Sequence, residues 1–114
     1  MADVIDKSKQ TSGVPKFHRV TVALAAQSAA LSLPSATRHV QVTAIGAAAR
    51  LYLSAADEVA SLRYFEVPAG QSITFPMRTD TLIVQGAGAG TICVLTTHDA
   101  LALADVAGQD YVAA

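Results

Sequence analysis

Tryptophan is absent from this 114-residue sequence, cysteine occurs once, and charged side chains make up only 15%. Each shortage excludes something. A lone Cys93 cannot close an internal disulfide, so no cross-linked secreted scaffold is indicated. Its place in the apolar run Thr91–Leu95 marks it as a small buried hydrophobe. Without Trp, stacking platforms for sugars or bases must come from few rings. Phe17, Phe65 and Phe75 lie in alternating runs and read as core residues, which leaves Tyr52, Tyr64 and Tyr111 for exposure. The apolar runs fall far short of the ~20 residues a membrane helix needs. The opening MADVIDKSKQTSG has no apolar segment and so does not read as a signal peptide. A formal net charge of −1 is unlike the basic balance of a general nucleic-acid binder.

Catalytic groupings are also missing. The histidines His18, His39 and His98 form no HxH or HxxxH pattern, and no CxxC is present. They could hold a metal only by converging in space with Asp99; His98-Asp99 reads more simply as a cap or turn. No Gly-x-Ser-x-Gly elbow or papain-like setting surrounds a nucleophile. Asp57 and Glu58 are adjacent, so in a strand they point opposite ways and cannot act as paired acids. Gly86-Ala87-Gly88-Ala89-Gly90 leads into the strand-like Thr91-Ile92-Cys93-Val94 with no Lys, which misses both phosphate-loop spacings. It reads as a β-hairpin loop whose glycines supply positive φ angles. The expectation is a protein with no catalytic residues, no cofactor, no metal and no small-molecule substrate.

What is present is alternation. Ser61 to Thr97, SLRYFEVPAGQSITFPMRTDTLIVQGAGAGTICVLTT, holds four apolar runs: Leu62–Val67, Ser72–Phe75, Leu82–Gln85 and Thr91–Thr97. Pro68-Ala69-Gly70, Pro76 to Asp80 and Gly86 to Gly90 punctuate them. Upstream, Lys16–Leu24 places His18, Val20, Val22 and Leu24 on one face. Ala25–Leu33 reads as an extended segment or a hairpin partner for that strand, ended by Pro34. Arg38–Ile45 aligns Val40 with Val42, and Arg50–Ser54 turns Leu51 and Leu53 inward with Tyr52 outward. Residues 55–60 read as one helical turn or a loop over a sandwich end. Pro34, Pro68 and Pro76 all sit at run boundaries, where proline is tolerated in sheets. The fold predicted is an antiparallel β-sandwich or small jelly-roll-like barrel. It spans residues 16–98, with an N-terminal arm over 1–15 and a C-terminal tail over 99–114.

The ends differ in charge. Lys7, Lys9, Lys16 and Arg19 occupy the first nineteen residues, while Asp99, Asp105 and Asp110 occupy the last sixteen. They read as solvated ends, or as partners that pair head to tail between copies. In the tail, Asp99 to Asp105 reads as strand alternation or as a short helix capped by Asp99; Leu101 and Leu103 lie two apart, which favours a strand, and Tyr111-Val112 could anchor the terminus. Few charges on a chain that is 52% apolar also suggest that other chains cover part of its surface, although alanine contributes much of that fraction.

The segment Val67-Pro68-Ala69-Gly70-Gln71-Ser72-Ile73-Thr74-Phe75-Pro76, followed by Thr81 to Thr91, resembles small structural proteins of tailed bacteriophages, such as head decoration proteins, fibre bases and tail-associated β domains. The likeness is one of strand and turn types over about residues 38 to 97. It implies a noncatalytic virion component made in the host cytoplasm. Such a component binds itself as a homotrimer or other cyclic oligomer, and binds major capsid or other virion subunits, without a membrane or nucleic acid. The alternative reading is a small ligand- or carbohydrate-binding β module, a cupin-like barrel with a His- or Tyr-lined mouth.

Overall fold

The alternating runs become strands. The computed structural model describes residues 14–33, 37–76, 79–98 and 108–114. These form β1 (Val14–Val22), β2 (Ser28–Ser32), β3 (Thr37–Ile45), β4 (Ala49–Tyr52), helix α1 (Ala55–Ala60), β5 (Phe65–Val67), β6 (Ser72–Phe75), β7 (Thr81–Gly86), β8 (Gly90–His98) and β9 (Gln109–Val112). One sheet has the order β6-β3-β8-β1-β9 and the other β2-β7-β4-β5.

The pairing is nested. β1 pairs with β8, β2 with β7, β3 with β6 and β4 with β5, all antiparallel. The chain is therefore one long hairpin, with the turn between β4 and β5 at its tip, rolled up until β3 also meets β8 and β4 meets β7. This is a jelly roll, the double-stranded β-helix, and the predicted fold class stands. β9 adds an outer strand, parallel to β1.

Alternation sets the core. Val20, Val22, Val40, Val42, Ala44, Ile92 and Val94 face inward from the first sheet. Leu31, Ala49, Leu51, Val67, Leu82 and Val84 meet them from the second. Period-2 patterning allows this because each strand buries one face only. His18 and Thr96 are buried among them.

Several local expectations change. Leu24 leaves the inward face because β1 ends at Val22, and it is exposed. Residues 28–32 pair with β7 in the opposite sheet, not with β1. The run from Leu62 supplies only the three-residue β5. Phe17 is 64% exposed on the outer face of its sheet, so it is not a core residue. Tyr52 points outward from β4 yet is fully buried, because the turn that follows brings Tyr64 over it, ring centroids 5.5 Å apart.

The Gly86–Gly90 segment is no hairpin loop, since β7 and β8 lie in different sheets. Nor do its glycines supply positive φ; among the described glycines that belongs to Gly46 and Gly70. A Cβ on Gly90 would stand 2.3 Å from the Ile45 carbonyl oxygen, and one on Gly86 would stand 2.7 Å from Val22 Cγ1. These glycines let the chain cross between packed sheets.

The expected strand at Leu101 and Leu103 and the charges of Lys7, Lys9, Asp99 and Asp105 lie outside the described residues, as does Pro34. Arg19 and Asp110 do meet, but within one chain: Arg19 Nη2 donates to Asp110 Oδ2 at 3.1 Å, across the β1–β9 pair. Both side chains are well exposed, so the pair adds little stability. Among the described residues no helix is long and apolar enough to cross a membrane.

Candidate functional site

The tip of the long hairpin builds a largely apolar cavity. After Tyr52 the chain leaves β4, and Ser54 caps α1 by accepting from the Asp57 amide at 3.1 Å. Asp57 and Glu58 sit in the helix's first turn, where the backbone dipole favours acids. Ser61 ends the helix in the left-handed region, φ 52°. The chain then returns through Leu62, Arg63 and Tyr64 into β5.

This excursion places large apolar groups around an opening of about 390 Å³. Leu51 and Leu82 form its floor from β4 and β7. Phe65 of β5 and Phe75 of β6 close the gap between the two sheets, with ring centroids 5.0 Å apart and planes at 83°. Edge-to-face packing of this kind stabilises an aromatic pair beyond its area burial. Leu53, Arg63 and Tyr64 complete the lining.

The charges around the opening are paired. Arg63 Nη1 donates to Asp57 Oδ1 at 2.9 Å. The Arg50 guanidinium lies 4.4 Å from the centre of the Tyr64 ring, a cation–π distance, and 3.6 Å from Glu66. A hydrogen bond with Tyr52, then the neighbouring Tyr64 and Glu66, push the Arg50 pKa up despite partial desolvation. Arg50 is thus a fixed cation that holds the Tyr64 ring.

The histidines do not gather here. His18 is buried between the sheets, its ring 6.1 Å from that of Tyr111. His39 is exposed on β3. The backbone of His98 pairs with Val14 and Thr37. Among the described residues no three His, Cys, Asp or Glu side chains come together as metal ligands. Of the tyrosines, only Tyr64 lines the mouth; Tyr111 accepts a hydrogen bond from the Ser32 amide at 3.2 Å. A second depression of about 400 Å³ lies along β1 and β9, with Phe17, Arg19 and Asp110 in its lining.

Sequence reasoning did not find this mouth. A signal was present in Leu62-Arg63-Tyr64-Phe65. Two large rings at adjacent positions cannot share the inward face of a strand, so one of them had to lie at a rim.

No family model matches the sequence, and no curated protein matches it. Solved structures are similar in shape. One is the Cupin_2 domain of an XRE family transcriptional regulator from Enterobacter cloacae, with 8% identity and a TM-score of 0.47 over 66% of this chain and 73% of that one. Another is a cupin superfamily protein from Desulfitobacterium hafniense, with 11% identity, a TM-score of 0.44, and coverage of 65% and 61%. A third is a de novo designed double-stranded beta-helix, with 14% identity, a TM-score of 0.45, and coverage of 71% and 95%. In an HTH_3 family regulator from Vibrio cholerae, the chain spans only 38% of the matched protein.

The expectation from phage structural proteins is corrected accordingly. The similar structures named above include bacterial cupin-domain proteins, and none of them is a capsid decoration or tail protein. The virion location rested on that resemblance and falls with it. The physical reason lies in the turns that suggested it. Pro68-Ala69-Gly70 makes a tight turn, with Gly70 at φ 80° and the Gln71 amide donating to the Pro68 carbonyl at 3.1 Å. Together with the Gly86–Gly90 crossing, it is what the sheet-to-sheet connections of this roll require.

Proposed function

We propose that the chain is a small ligand-binding β module of cupin-like build, which holds a largely apolar small molecule in the mouth at the hairpin tip without transforming it. The observation that carries this reading is the cavity of about 390 Å³ walled by Leu51, Leu53, Phe65, Phe75 and Leu82. Pockets for small molecules typically enclose ~300–1,000 Å³ and are lined mostly by apolar and aromatic side chains with a few polar groups. Arg63 and Tyr64 are the polar-tipped members of this lining. Its described residues include no Ser, Cys, His or carboxylate to serve as nucleophile or base, which supports binding over catalysis.

Isotope-edited NMR with a fragment library tests the reading. Amide shift changes are expected to cluster at residues 51–53, 63–65, 75 and 82. Hits that map elsewhere, or a library that yields none, would refute it.

A further inference from the structure

We infer that the ligand class of this mouth is a flat, ring-bearing carboxylate, oriented by Arg63; the inference rests on the binding reading above. Three observations converge on it. The first is the shape of the walls. Tyr64, Phe65 and Phe75 present rings at one opening, and the edge-to-face pair of Phe65 and Phe75 leaves ring surface for a third partner.

The second is a concentration of exposed apolar side chains in one segment. Leu53 is 65%, Leu62 59%, Tyr64 41% and Phe65 47% exposed, all within thirteen residues of chain. Apolar groups clustered in the open mark interaction sites, whereas single ones do not. The volume, near the lower end of the usual pocket range, suits one or two fused rings and not a polymer.

The third is charge. Arg63 is the only charged side chain in the described lining. Its contact with Asp57 uses one nitrogen, Nη1, and leaves further guanidinium donors. A planar fork matches a carboxylate in two parallel bonds, which an ammonium or a neutral amide cannot reproduce. With its side chain 82% exposed, Arg63 contributes little to packing, so it can be replaced without disturbing the fold.

The test uses the full 114-residue chain and three matched probes: 2-naphthoate, 2-naphthamide and 2-naphthylmethylamine. Calorimetric titration at low salt is expected to rank the carboxylate above the amide by about tenfold, with the amine weakest. In Arg63→Gln, naphthoate should lose most of its roughly tenfold advantage over the amide. Equal binding of carboxylate and amide to the parent chain would overturn the anion assignment and leave the pocket reading standing. So would a preference for naphthoate that survives Arg63→Gln. Failure of all three probes to bind would overturn the pocket reading itself, and the ligand class with it.

Discussion

A methyl group on residue 90 would stand 2.3 Å from the carbonyl oxygen of Ile45, a distance that only a backbone shift can relieve. On residue 86 it would meet the Val22 methyls at 2.7 and 3.0 Å, which are side-chain atoms with some freedom to yield. On residue 88 the nearest atom is the Ala47 Cβ at 3.6 Å, an ordinary contact. The three glycines look alike in sequence, yet their replacement should differ. Gly90→Ala is expected to cost about 3 kcal/mol, Gly86→Ala about 1 kcal/mol, and Gly88→Ala almost nothing, by the usual scale of overpacking. Urea denaturation of the three variants measures the order; equal losses would mean that the crossing is not tight. The sequence showed that a turn lies here. It did not show why glycine is needed, because the atoms that exclude a side chain belong to Ile45 and Val22, which are distant in sequence.

Short elements were legible where their own residues decide them. Thr37–Ile45 and Ser72–Phe75 alternate clearly, and the strands fall there. Residues 55–60 read from the sequence as one helical turn or a loop, and in the structure Ser54 caps them as a helix. β9 is different, because its four residues carry little pattern and its place depends on partners. It lies parallel to β1, and Tyr111 packs against the core while reaching the Ser32 amide in the other sheet. The next residues extend this tie: the Ala113 amide donates to Thr21 at 2.9 Å, and the Ala114 amide donates to Ser28 at 3.0 Å. The last strand therefore fastens β1 to the start of β2, where the chain changes sheets. Tyr111→Ala should cost about 2–3 kcal/mol, most of it lost packing. Tyr111→Phe should cost about 0.5–1 kcal/mol, the value of one hydrogen bond. Thermal unfolding of both variants separates the two contributions. A Phe variant as unstable as the Ala variant would place the stabilisation in the hydroxyl instead.

For the whole molecule, the nested pairing explains what no window of sequence could reveal. Val14 opposes His98, Ser28 opposes Gln85, and only at the tip, Leu51 with Phe65, are partners near neighbours in the chain. Alternation fixes which face each strand buries, but not which strand lies beside it. The candidate mouth inherits the same difficulty, since Leu51, Arg63, Phe75 and Leu82 come from four separate stretches. The pairing also sets the kinetics. Closing the β4–β5 tip is a local event with small entropic cost, whereas joining β1 to β8 must close a loop of most of the chain before its contacts form. Domains dominated by such distant pairings fold in about milliseconds to seconds, while those rich in local contacts fold in microseconds. Stopped-flow refolding from urea is therefore expected to fall in the slow range. Substitutions in the β4–β5 tip should change the folding rate more than the unfolding rate if the roll starts there, and Tyr111→Ala should act mainly on unfolding because β9 docks on a completed β1. Refolding within microseconds, or a Tyr111 effect carried by the folding limb, would contradict an assembly that proceeds from the tip outward.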